Sequence, residues 1–224
     1  MTFAEPLTAL TGTEFILLNS TKTRDSSLVL HCLSREFGRR SFITSVSGGR
    51  GMALYQPMNI LEGEVQENSR SELWRIRNIS SLHSLDGVRT NVFKNAMSMF
   101  MSEVLFRTLR EGTYEDGLYD WCKGAALTLD ALPGECSNYH LRFLLELAVA
   151  LGFSPRLEDL APFAGEQLRN IEALLRSDFA SCMLLPLNGR SRNEIASSLI
   201  RYLSFHLDFP VNIRSLSVLR ELFE

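Results

Sequence analysis

No CxxC pair, no long apolar run and no dominant charge sign occur in this 224-residue chain. Its four cysteines, at 32, 122, 136 and 182, stand too far apart in sequence to suggest a zinc cage or a redox pair, and they read as buried thiols. The opening stretch, MTFAEPLTALTGTEFILL, has no basic segment and is broken by Glu5, Pro6 and Glu14. No apolar run approaches the roughly 18 residues of a membrane span, so a cytoplasmic, reduced protein is expected. Catalytic motifs are missing as well. The four histidines (31, 83, 140, 206) fall in neither HExxH nor HxH spacing, and no serine sits in GxSxG. They read as structural or exposed side chains. Ser47-Gly48-Gly49-Arg50-Gly51 is rich in glycine but has neither a Lys-Ser/Thr pair nor GxGxxG order, so it reads as a basic loop rather than a phosphate cradle. Carboxylates are scattered: Glu115, Asp116 and Asp120 make one local acidic face, Glu158 and Asp159 another, and the strand-like region offers Glu62, Glu64 and Glu72. A divalent-metal nuclease would need them converged. No enzyme activity, catalytic residue, metal or cofactor is expected.

What is present is an uneven distribution of charge. The net charge is -3, yet residues 1–79 carry nine basic and eight acidic side chains while 80–224 carry fourteen and eighteen. Any anion-binding surface therefore belongs to the first third. Within it, Arg35–Leu61 holds the densest positive run: Arg35, Arg39, Arg40 and Arg50 against Glu36, framing Phe42, Ile43 and Val46. Guanidinium groups at both ends of a short strand can reach phosphates several ångströms apart. The alternative is a solvated arginine face.

From Thr13 to about Ile79 short β-prone runs alternate with turn residues. Strands are predicted at 14–18, 27–33, 41–46, 59–66 and 73–79, with Asn19, Asp25 and Gly38 in the connections. Five such strands suit a closed oligonucleotide-binding (OB) barrel, because closure removes exposed edges. In the last of them, alternation separates Trp74 and Ile76 from Arg75 and Arg77, which gives a basic outer wall. Near Ser80 the period changes to about 3.6. Asn91 is a helix cap, Gly112, Pro133-Gly134 and Gly152 are stops, and Met97 and Met101 read as core filler. The tract 154–165 is predicted to be a two-proline loop. Helices resume around Leu168–Leu175, after Gly189, and from a capping Ser215. The fold class is thus α+β, an OB domain over 1–79 followed by an all-helical domain over 80–224.

Arg142 stands between Leu141 and Phe143 in an apolar helix, with Leu145 a turn on. A cation beside apolar surface can receive the acidic, aromatic tail of a partner. It can equally snorkel over its own helix.

Several stretches resemble the RecO family of bacterial recombination mediators. Ser34-Arg35-Glu36-Phe37-Gly38-Arg39-Arg40 is similar to the family's Thr-Arg-Glu-x-Gly-Lys segment, and Leu54-Tyr55-Gln56-Pro57-Met58-Asn59-Ile60-Leu61 to its Leu-Gln-Pro-Phe-x-Leu-Leu run. Leu144–Leu147 leading to Leu151-Gly152-Phe153-Ser154-Pro155 resembles the central helix and its stop. Tyr202–Leu207 and Ile213-Arg214-Ser215-Leu216 resemble the C-terminal elements. The resemblance implies a non-catalytic protein that binds single- and double-stranded DNA and anneals complementary strands. It also implies engagement of the tail of single-stranded-DNA-binding protein (SSB) and work with RecR to load RecA. It places Arg35, Arg39 and Arg40 on the DNA-binding barrel, with Arg50, Arg75 and Arg77 expected to join them, and Arg142, Leu141 and Leu145 at the SSB tail. An adaptor between SSB and RecR that barely touches DNA is the alternative. Many relatives have a four-cysteine zinc site after the Leu-Gly-x-x-Pro stop. Here the 156–182 tract has only Cys182, so no zinc requirement carries over.

Overall fold

A computed structural model describes residues 10–223 except 25, 47–48, 69–70 and 135; for Arg24 and residues 49–51 it describes the backbone alone. The chain divides into two compact units. One runs up to Ser84 and includes Arg110–Tyr114, and the other comprises Leu85–Leu109 and the residues from Glu115 onward.

The first unit is a closed barrel of β1 (Leu10–Arg24), β2 (Ser27–Ser34), β3 (Gly38–Ser45), β4 (Ile60–Gln66) and β5 (Trp74–Ser81), in the order β1-β2-β3-β5-β4 and back to β1. All pairings are antiparallel except β3 with β5. Five strands closed in this way make an OB-type barrel. The alternation of apolar residues dictates its filling: Phe15, Leu17, Leu30, Cys32, Phe42, Leu61, Val65 and Ile76 form one buried cluster, with Phe15 edge-on to Phe42 at 6.2 Å. β1 is longer than predicted. The polar run from Asn19 to Arg24 lacks alternation yet keeps pairing with β2 through bulges after Leu17 and Lys22, because the backbone ladder does not require apolar side chains at a hairpin tip.

The parallel β3–β5 seam is short, pairing Phe42 with Trp74 and Ile43 with Arg75. Ahead of it the open edge of β3 is closed by the 110–114 segment, with Arg39 N–H donating to Thr113 O and Gly112 N–H to Arg39 O, each at 2.8 Å. These bonds satisfy backbone groups that burial would otherwise leave unpaired. Gly38 makes the approach feasible: its φ is +62°, and a β-carbon there would lie 2.2 Å from Thr113 O.

The second unit contains α1 (Asp86–Thr90), α2 (Val92–Thr108), α3 (Leu118–Ala131), α4 (Tyr139–Ala150), α5 (Leu157–Ala164), α6 (Leu168–Arg176), α7 (Phe179–Met183), α8 (Gly189–Leu207) and α9 (Ser215–Leu222). Asn91 caps α2 as expected, accepting from Phe93 N–H at 2.9 Å and Lys94 N–H at 3.2 Å. Two expectations are corrected. The 154–165 tract contains a helix, α5, with Pro162 inside its second turn; burial of Leu160 and Ala164 outweighs the one backbone bond the proline removes. Ser215 is not the cap of α9. Its N–H and Oγ, with the N–H of Arg214, donate to the carboxylate of Glu103 on α2. Among the described residues no helix is long and apolar enough to cross a membrane, and no group of three or more His, Cys, Asp or Glu is placed to hold a metal.

Candidate nucleic-acid interface and partner groove

The arginines of the barrel do not share one environment. Arg39 faces outward on β3 but is only 5% exposed, under the 110–114 segment, and its guanidinium meets Glu111 at 2.8 Å. Glu111 also accepts from Ser41 Oγ at 3.1 Å, and Ser41 bonds His31 Nδ1 at 2.8 Å. Burial, then the neighbouring Arg39 charge, lowers the His31 pKa against the opposing pull of Glu111. The expectation that Arg39 is a DNA-binding cation meets a covered guanidinium: the segment that completes β3 supplies its partner, Glu111. Arg35, half-buried, pairs with Glu14 at 3.4 Å.

Arg40 leaves β3 on the opposite side from Arg39. Its guanidinium carbon lies 4.3 Å from the centroid of the Trp74 ring, and Phe37 packs edge-on against the same indole at 5.3 Å. The three close one end of the barrel core, a cation over an aromatic face. Arg75 and Arg77 flank buried Ile76 and are exposed. They stand two residues apart on one face of β5, roughly 7 Å along the strand. Arg75 lies between Ile43 of β3 and Gln66 of β4, and Arg77 opposite Glu64. Glu64 is nevertheless drawn to Asn78, whose Nδ2 donates to it at 2.7 Å. Asn78 has a left-handed φ of 52° next to the β4–β5 bulge, so the bulge re-aims the side chain that holds the carboxylate. Neither Arg75 nor Arg77 makes an ion pair among the described residues. The Arg50 side chain lies outside the described residues.

The β1–β4 side of the barrel has the opposite sign. Glu14, Glu36, Glu62 and Glu64, with Thr13 and Asn78, line a cavity of about 400 Å³. Thr13 Oγ1 donates to Glu36, and Ser80 Oγ donates to Glu62 at 2.8 Å. These carboxylates are scattered in sequence, and strand register brings them together: Glu14 is paired with Glu62 and Gly12 with Glu64.

On the helical unit, Arg142 opens onto a groove of about 610 Å³ lined by Asp116, Leu118, Trp121, Glu146, Val149 and Ala150 with Arg142 itself. Arg142 Nε donates to Glu146 at 2.6 Å and Nη1 to Ser177 O at 3.0 Å. Trp121 stacks on buried Phe143 with centroids 5.4 Å apart, and Val149 is 60% exposed. Leu141 and Leu145 are buried, at 0% and 6%, so their placement on a partner surface is corrected. A step of one residue turns the chain about 100° around a helix, whereas Arg142, Glu146 and Val149 share one stripe. Trp121 and Val149 are among the groove residues that sequence reasoning missed. Trp121 fits the apolar stripe of α3 and reads as core, and only the position of α4 reveals its second face.

Two family models match this chain, Recombination protein O N terminal over residues 9–85 and Recombination protein O C terminal over 89–161. DNA repair protein RecO of Phocaeicola vulgatus is 30% identical over 93% of this chain and 97% of its own. The proteins of that name from Bacteroides fragilis, 27% identical over 93% and 97%, and Flavobacterium johnsoniae, 27% over 94% and 98%, are similar throughout. With the two models together spanning residues 9–85 and 89–161 and a 30% identical relative covered almost end to end, the chain belongs to the RecO family of DNA repair proteins.

Proposed function

We propose that this protein is a non-catalytic recombination mediator that binds single- and double-stranded DNA on its barrel and anneals complementary strands. It holds the SSB tail on its helical unit and acts with RecR to load RecA onto SSB-coated DNA. The observation that carries the DNA-binding part is the pair Arg75 and Arg77, exposed on one face of β5 while Glu64, the carboxylate opposite Arg77, is held by Asn78. Arg40 over Trp74 supports it from the barrel end. Phosphates are attracted to fixed guanidinium groups. The carboxylates of the β1–β4 side repel a polyanion, so the strand is expected to follow β5 rather than β1.

The Arg142 groove suits an acidic tail with an aromatic end: apolar walls at Leu118, Trp121 and Val149, and a cation at one edge. A specific observation also favours the adaptor reading, in which DNA contact is minor. Arg35 and Arg39 are held by Glu14 and Glu111, which leaves fewer cations for phosphate than the sequence suggests. Annealing of labelled complementary oligonucleotides separates the two. A mediator accelerates annealing and loses that activity in Arg75→Ala/Arg77→Ala, whereas an adaptor binds the SSB tail peptide without accelerating annealing.

A further inference from the structure

The guanidinium of Arg142 can fork a carboxylate along either of two edges, Nε with Nη2 or Nη1 with Nη2. Glu146 holds Nε and the Ser177 carbonyl holds Nη1, so each edge is half-occupied. A carboxylate arriving in the groove gains a two-pronged contact once one of these acceptors withdraws. Ser177 O is main chain at the end of α6 and is fixed, whereas the Glu146 side chain is 37% exposed and has solvent to swing into. Glu146 also lines the groove together with Asp116, so both acids oppose a negatively charged ligand before it reaches the arginine.

We propose that Glu146 is a built-in competitor for Arg142. It holds the guanidinium in place while the groove is empty and yields it to the carboxylate of an acidic peptide, keeping capture of that peptide reversible. The inference rests on the reading of this groove as the docking site of an acidic, aromatic tail. The intrahelical pair runs from Arg to Glu at i, i+4, the weaker order for such pairs, so removing the Glu146 charge leaves α4 folded.

The test is fluorescence anisotropy of a short labelled peptide, rich in aspartate and ending in a phenylalanine carboxylate, with the wild type, Glu146→Gln, Arg142→Ala and the double variant. Glu146→Gln is expected to bind about five-fold tighter at low ionic strength, with the gain shrinking as salt rises. That gain disappears when Arg142→Ala is added. If the wild type binds through Arg142 but Glu146→Gln binds equally or more weakly, the competitor role is overturned while the docking site stands. If the peptide binds neither protein, the docking site falls and the competitor with it.

Discussion

Arg39 illustrates how far a residue's surroundings can redirect its chemistry. Its charge is spent on Glu111 inside a covered patch, where its value is structural, while Arg75 and Arg77, ordinary in sequence, keep theirs facing solvent. His140 is the other residue with a measurable consequence. It is fully enclosed, edge-on to Phe100 at 5.8 Å, and burial followed by the Arg192 charge depresses its pKa to about 3, against the pull of a backbone bond at Ser137. An unfolded histidine titrates near 6.5. As pH falls below that value the unfolded chain takes up a proton the folded state refuses. The stability is therefore intact above about pH 6.5 and is lost progressively toward pH 3. In urea unfolding, the stability difference between wild type and His140→Phe should shift by about 2 kcal/mol in favour of the variant between pH 7 and pH 5. Parallel pH dependences would show that this histidine is not the source. Neither environment is legible from sequence. Arg39 is covered by residues some seventy positions away, and a lone histidine on an apolar helix gives no sign of which charge will face it.

At the scale of elements, the seam between β3 and β5 decides whether the barrel closes. Gly38→Ala puts a β-carbon against Thr113 O in a left-handed conformation and is expected to cost about 1–3 kcal/mol, read from the urea midpoint. An unchanged midpoint would mean that the 110–114 segment adds little to the barrel. α9 depends in the same way on a residue of another helix. Burial alone would raise the Glu103 pKa, but hydrogen bonds from Ser215 and Arg214 and the Arg107 charge bring it below the ordinary carboxylate value. Glu103→Gln should therefore loosen the start of α9 by about 1–2 kcal/mol, seen as faster amide exchange in α9 with barrel amides unaffected. Strands and long helices were readable because alternation and the 3.6-residue period are imposed by burial itself. α5 escaped because two prolines outweighed a short apolar pattern, and the cap of α9 escaped because a distant carboxylate supplies it.

For the molecule as a whole, DNA binding turns on the polarity of the barrel wall. A chain of net charge -3 can still hold a polyanion if its cations and acids are sorted onto different sides. The uneven charge along the sequence pointed to the barrel, but the row of Arg75 and Arg77 along β5, bordering on its β4 flank a cavity lined by four glutamates, exists only once the strands are in register. The most direct measurement is the salt dependence of single-stranded oligonucleotide binding by the wild type and by Arg75→Ala/Arg77→Ala. Each lost phosphate contact makes the log-log slope shallower by about 0.7, so the double variant is expected to flatten it by about 1.4. An unchanged slope would place the DNA elsewhere and contradict the β5 wall as its binding surface.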